Sequence, residues 1–232
     1  MFSEELKEYI THGKEEIHIE YKDSMRWPRK PKNNKDKIVV FKIIRAMLAM
    51  ANHANGGVMV IGEREKGNGE FSPIGTSKVN SDSFKYDDIS RYLKGLSSAP
   101  IQFKIDRDTM SIGGKERRFV VIQVAESIEL PIICIRSEKY DEARPFCGDN
   151  IALRENAIYI RSKSPIESRE ISSVDEWKDL ISRVMEKSRK EQLKKMPCYE
   201  FIQDKKGKNE LATQKKIETS PEFQKQLKRD AL

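Results

Sequence analysis

One stretch constrains this chain more than any other: a helix-period apolar run from Asp36 to Ala51, a glycine break, and a short strand-like apolar run behind it. Ile38, Phe41, Ile44, Leu48 and Ala51 recur at spacings of three and four, and Val40, Ile43, Met47 and Met50 widen that stripe. A helix apolar on so much of its circumference belongs at the centre of a core. Asp36 is placed to cap its start. Asn55-Gly56-Gly57 is a helix stop and turn signal. Val58-Met59-Val60-Ile61-Gly62 then reads as a fully buried strand. The two together imply a layered body with a helix packed on a sheet.

The remaining segments fill in that body. Residues 2–11 form an amphipathic helix pattern with Phe2, Leu6, Tyr9 and Ile10 on one side. Ile17, Ile19 and Tyr21 alternate with His18, Glu20 and Lys22, which predicts a strand with the second set on one face. Residues 23–35 hold two prolines and no apolar period, and read as a loop. Glu63 to Gly69 reads as a charged turn, with an edge strand over Phe71–Ile74. The spacing predicts a helix over 82–96 and strands at Ile101–Asp106, Arg118–Val124, Ile132–Ile135 and 157–161, with polar loop over 137–150. Ser172 or Ser173 starts a helix, with Glu176 placed for a capping box. The expected fold class is α+β: a mixed, mostly antiparallel sheet packed by helices, over residues 1–192. Residues 193–232 read as a basic tail, helical in short pieces or disordered.

Charge is the first guide to function. The 232 residues carry 44 Lys plus Arg against 37 Asp plus Glu, a formal charge of +7. From Arg183 to Arg229 there are 14 basic and 7 acidic side chains, so that stretch holds the whole excess. Between Lys22 and Lys37 seven basic residues face two acids. Two basic segments around a neutral body point to a polyanion. No apolar run is long enough for a membrane span, so no membrane contact is expected. The acidic, interrupted first residues do not suit a secretory signal. Three widely spaced cysteines form no disulfide framework, which suits a reducing cytoplasm, and the three histidines fall in no zinc-site pattern.

Glu20 and Lys22 lie two residues apart on one strand face. An acid-x-lysine pair beside further carboxylates is the donor set of metal-dependent phosphodiester cleavage, with Mg²⁺ or Mn²⁺ as cofactor. Either Glu63 or Glu65, at the end of the neighbouring strand, could supply another acid. Without a metal, Glu20 is an ordinary ion-pair partner for Lys22 or Arg161. Arg26, Arg29, Lys30 and Lys32 offer phosphate contacts, and Trp27 either stacks on an unpaired base or packs back on the body. Arg161, at a strand end beside Ser162 and Ser164, is a phosphate clamp or a structural salt bridge. The alternation predicts one groove, with acids on its floor and Arg26, Arg29, Lys30, Lys32 and Arg161 on its walls.

The ordered set Glu15-x4-Glu20-Tyr21-Lys22, the apolar helix ending AMANHANGG, VMVIG followed by acids, Ile74-Gly75, Ala99-Pro100, VVIQVAES, Pro131 and AIYIRSKSPIE resembles the AlbA-like nucleic-acid-binding domain of Schlafen proteins. The likeness covers about residues 13–170. It departs at Asn52, one residue further from the Gly-Gly; at Ser162-Lys163, where a glycine is usual; and at Glu65, where an aspartate is usual. The resemblance implies binding of nucleic acid, tRNA, rRNA or DNA, with RNA somewhat preferred. It implies as an alternative an endoribonuclease for structured RNA, with Glu15, Glu20 and Glu65 as metal ligands and catalytic acids beside Lys22. A third option is a protein-interaction adaptor with a basic tail, and the assembly state is open, a homodimer included.

Overall fold

The computed structural model describes residues 2–127, 131–140 and 151–194. Two compact units divide the chain, Met1–Arg183 and Val184–Leu232. The first unit carries the architecture. In chain order it has α1 (Glu4–Thr11), β1 (Ile19–Lys22), α2 (Asn34–Ala51), β2 (Gly57–Ile61), β3 (Glu63–Gly67), β4 (Glu70–Pro73), α3 (Lys78–Ser83) and α4 (Tyr86–Lys94). There follow β5 (Phe103–Ile112), β6 (Lys115–Val124), β7 (Glu138–Lys139), β8 (Ile151–Leu153), β9 (Tyr159–Lys163) and β10 (Ile166–Glu170), and α5 (Val174–Lys194) continues past the unit boundary. The tail expected at 193–232 lies almost wholly outside the described residues, as do Cys147 and Cys198.

A four-stranded sheet in the order β1-β2-β6-β5 is the platform. β1 runs parallel to β2, and the other pairings are antiparallel. Alternation along the strands sends side chains to two cores. Met59, Ile61, Val120, Ile122 and Val124 meet α2 on one face. Ile19, Tyr21, Val58, Val60, Phe119 and Val121 meet α1 on the other. The α2 stripe is buried from Val40 onward except at Lys42 and Arg45, which is why its apolar content is so high. Hairpin β9–β10 also packs on α2, and Ile158 and Ile160 meet Leu180 of α5. Among the described residues, no helix is long and apolar enough to cross a membrane.

Gly56 explains the glycine break. Its φ is +75°, and a Cβ there would lie 2.0 Å from the Val124 carbonyl oxygen. Only glycine lets α2 turn back onto the sheet so tightly.

Several boundaries differ from the sequence reading. The first strand begins at Ile19, because residues 17–18 turn back and Glu16 bonds Ile19. Asn33, not Asp36, caps α2: its side chain accepts the Asp36 N–H at 2.9 Å. The single helix expected over 82–96 is two, broken where Phe84 leaves helical geometry and buries its ring. Glu63–Gly67 is a strand, paired with β4, rather than a turn. Ile132–Ile135 forms only a bridge from Ser97 to Cys134. β7 lies within the stretch read as loop. The capping box holds: Glu176 N–H donates to Ser173 Oγ at 3.2 Å, and Ser173 N–H to Glu176 Oε2 at 3.0 Å.

Candidate functional site

β1 and the turn before it position most of the residues singled out by sequence. Glu20 and Lys22 share a face of β1, as alternation requires, and that face is the one turned toward Met59 and Ile61. Hairpin β9–β10 covers it. Glu20 is therefore buried, with its two oxygens divided between partners. Oε1 is ion-paired with the Lys22 ammonium. Oε2 accepts from Arg161 Nη1 at 2.7 Å and from Ser168 Oγ at 3.0 Å. Burial pushes the Glu20 carboxyl up, but the Lys22 and Arg161 cations and the Ser168 hydroxyl together hold it below the usual carboxylate range.

Arg161 is buried too, and its donors are spent inside the protein. Nε donates to the Ile17 carbonyl at 3.2 Å, and Nη2 to the Glu16 and Ile19 carbonyls at 3.0 Å each. It pins the 16–19 turn to β9. The phosphate-clamp reading of Arg161 is thus corrected: no donor faces outward, and the salt bridge is structural.

Glu15 and Glu65 fall elsewhere. Glu15 Oε1 accepts the Tyr21 N–H at 2.9 Å. Burial raises its pKa, with that hydrogen bond and Lys22 opposing. Glu65 is exposed on β3. Both line a cleft of about 790 Å³ with Lys22, Lys42, Glu63 and Arg64, and Glu20 is absent from its lining. Glu63 is the unusual member. It is fully buried, and neither carboxylate oxygen has a hydrogen-bond partner. Burial pushes its carboxyl up to about 8 against the pull of Arg117 and Lys66.

The donor set expected for Mg²⁺ or Mn²⁺ does not fit as it stands. Glu20 is turned into the β9–β10 hairpin and saturated by two cations. Among the described residues, no three acidic, histidine or cysteine side chains converge as a metal site.

The basic loop between β1 and α2 has an unexpected anchor. Trp27 is 1% exposed. Its ring meets Tyr92 edge-on at 5.8 Å and Phe84 at 6.2 Å, and its backbone N–H donates to Ser83 Oγ at 2.8 Å. The base-stacking reading of Trp27 is corrected: the indole packs into the core because apolar area that large is costly to leave in water. Arg26, Arg29, Lys30 and Lys32 stay exposed around it. Arg29 reaches Asp88 of α4 at 3.6 Å. None of these four cations lines the acidic cleft, so the single groove expected from strand alternation is not formed. The cleft acids and the four loop cations lie apart, with Lys22, Lys42 and Arg64 among the cations beside those acids.

Asn52 was not assigned a role by sequence. It is fully buried at the end of α2. Its amide donates to the Ile132 and Tyr159 carbonyls at 2.9 and 3.0 Å and accepts the Ile132 N–H at 2.7 Å. It clamps α2, β9 and the 131–134 segment. A polar residue closing an apolar helix was the only signal. Nothing local marked Ser168, and Glu63, one of the two acids offered by the end of the neighbouring strand, carried no sign of its burial.

The family described as Schlafen, AlbA_2 matches residues 15–170, more than half of the chain. No curated protein matches. Among solved structures, the DIP2311 protein from Corynebacterium diphtheriae is similar at 18% identity and a TM-score of 0.38. That match covers 70% of this chain and 23% of the other.

Proposed function

The chain belongs to the Schlafen AlbA_2 family, and from that premise we propose that it binds nucleic acid, RNA in preference to DNA, with the loop between β1 and α2 as its phosphate-contacting surface. The observation that carries this is the buried Trp27. A loop with four exposed cations is ordinarily a mobile, solvated segment. Here Trp27 fixes the centre of the loop to Phe84, Tyr92 and Ser83. Arg26, Arg29, Lys30 and Lys32 are displayed from a fixed base, so less conformational entropy is lost when they meet phosphates. Guanidinium and ammonium groups supply the contacts, and their sequence-blind chemistry suits backbone recognition.

The endoribonuclease reading draws less support. It asks Glu20 to be a metal ligand, and Glu20 is held by Arg161, Lys22 and Ser168. A reducing cytoplasm is the proposed setting, since Cys134 is buried as a free thiol. The test is a fluorescence-anisotropy titration with labelled single-stranded RNA and DNA of one sequence. The expected result is tighter RNA binding by the wild type. Replacing Arg26, Lys30 and Lys32 by serine should weaken it by at least tenfold at low salt. Equal affinity in the two proteins would overturn the assignment of the loop.

A further inference from the structure

With Trp27 buried, the surface shows a different aromatic platform. Tyr86, the first residue of α4, stacks on Phe103 of β5 with ring centroids 4.6 Å apart and planes 20° apart. Tyr86 is 53% exposed. Phe103 covers one face of the phenol ring, so that exposure belongs to the other face and the edge. Tyrosine standing on a second ring loses little freedom when something stacks upon it. An exposed ring backed by a second, partly buried ring is a surface on which an unpaired base can stack.

The surroundings suit the same ligand. Phe103 is also a wall of a cavity of about 630 Å³ at the edge of the sheet. Its lining mixes polar and apolar residues. Asn55, Gln102 and Gln123 line it together with His53, Tyr9 and the acidic Glu5, and the Gln123 amide also donates to Asp106 at 2.8 Å. Amides offer both a donor and an acceptor, which is what the hydrogen-bonding edge of a base requires. His53 Nδ1 is engaged with the Gly56 carbonyl at 3.1 Å, which directs its remaining nitrogen elsewhere. Charge on α4 is mixed, with Asp87 and Asp88 in its first turn and Arg91 and Lys94 in its last. Arg29 from the basic loop and Arg91 both approach Asp88 at 3.6 Å, so one carboxylate is shared by two guanidinium groups. Lys85 and Lys104, beside the two rings in sequence, are exposed. Lys104 pairs with Asp106 at 2.8 Å. The Arg29–Asp88 contact ties the loop that offers phosphate contacts to the helix that offers the aromatic one.

We propose that the Tyr86–Phe103 pair and the adjoining cavity form a binding site for an unpaired nucleobase, so that the protein selects single-stranded over duplex nucleic acid. This deepens the nucleic-acid reading above and rests on it. In the proposed arrangement a base stacks on the open face of Tyr86, with its edge turned toward the cavity that Phe103 and Gln102 line. The neighbouring phosphates run toward Arg29 and the basic loop. Duplex bases are already stacked and offer this site nothing.

The experiment uses the full chain with two RNAs: a labelled single strand carrying 2-aminopurine, and the same strand annealed to its complement. Wild type should bind the single strand more tightly and quench 2-aminopurine. Tyr86→Ala should lose about tenfold in single-strand affinity and most of the quench, while duplex affinity stays within twofold. Tyr86→Phe should keep both. Thermal unfolding of each variant checks that the exposed Tyr86 can be replaced without loss of fold. If Tyr86→Ala binds and quenches as wild type does, or loses single-strand and duplex binding equally, the platform is overturned and the nucleic-acid reading stands. If wild type binds neither RNA, the nucleic-acid reading fails and the platform falls with it.

Discussion

Glu63→Gln should change how the stability of this protein depends on pH. In the folded chain Glu63 is fully buried without a hydrogen-bond partner, and its carboxyl is pushed up to about 8. In the unfolded chain it titrates near 4.5. Between those values the folded state holds a proton that the unfolded state has released. Stability therefore falls as pH rises, by about 1.4 kcal/mol per unit, until the folded pKa is passed. Between pH 6.5 and pH 9 the loss attributable to Glu63 is about 2 kcal/mol. His53 acts at the other end. Burial lowers its pKa, so its contribution is lost as pH falls below about 6.5, outside that window. Glutamine keeps the shape and removes the titration. Its amide adds a buried donor whose cost is the same at every pH, so the slope is the readout rather than the absolute stability. Urea unfolding followed by the fluorescence of buried Trp27 gives the two profiles. Wild type should lose about 2 kcal/mol relative to Glu63→Gln on going from pH 6.5 to pH 9. Parallel profiles would show that Glu63 is ionised or solvated in the native state, and the reasoning would fail.

Glu20→Ala should destabilise the fold by about 3 kcal/mol, since it leaves Arg161 buried without its carboxylate; chemical denaturation beside Arg161→Ala and the double variant should show the single losses far from additive. Asn52→Ala should cost about 2 kcal/mol or more, because the Ile132 and Tyr159 backbone groups lose their partner; a smaller change in urea midpoint would mean that water replaces the amide.

How far the sequence could be read is best seen in particular residues. The α2 stripe, the Asn55-Gly56-Gly57 stop and the Ser173–Glu176 capping box are local signals, and each appears in the fold where its spacing placed it. The α+β class followed from them. Long-range partners are another matter. Arg161 and Glu20 are 141 residues apart, and neither segment names the other. Their meeting depends on hairpin β9–β10 covering β1, and IESRE of β10 carries no apolar alternation by which to recognise a strand. Trp27 misled for a similar reason. Its neighbours Arg26, Pro28 and Arg29 are polar or loop-forming, while the pocket that takes its ring is built by Phe84 and Tyr92. The acids of the expected site were placed one by one, but whether a carboxylate faces a cleft or a cation depends on what packs over it. Glu15 and Glu65 reach the cleft; Glu20 does not.

The central claim is that the anchored basic loop meets phosphate. The most direct measurement is the salt dependence of single-stranded RNA affinity for wild type and for the variant with Arg26, Lys30 and Lys32 replaced by serine. Each lost contact removes about 0.7 from the slope of log affinity against log salt. The wild-type slope should be steep, and shallower by about 2 in the triple variant. A wild-type affinity that ignores salt, or one slope shared by both proteins, would contradict it.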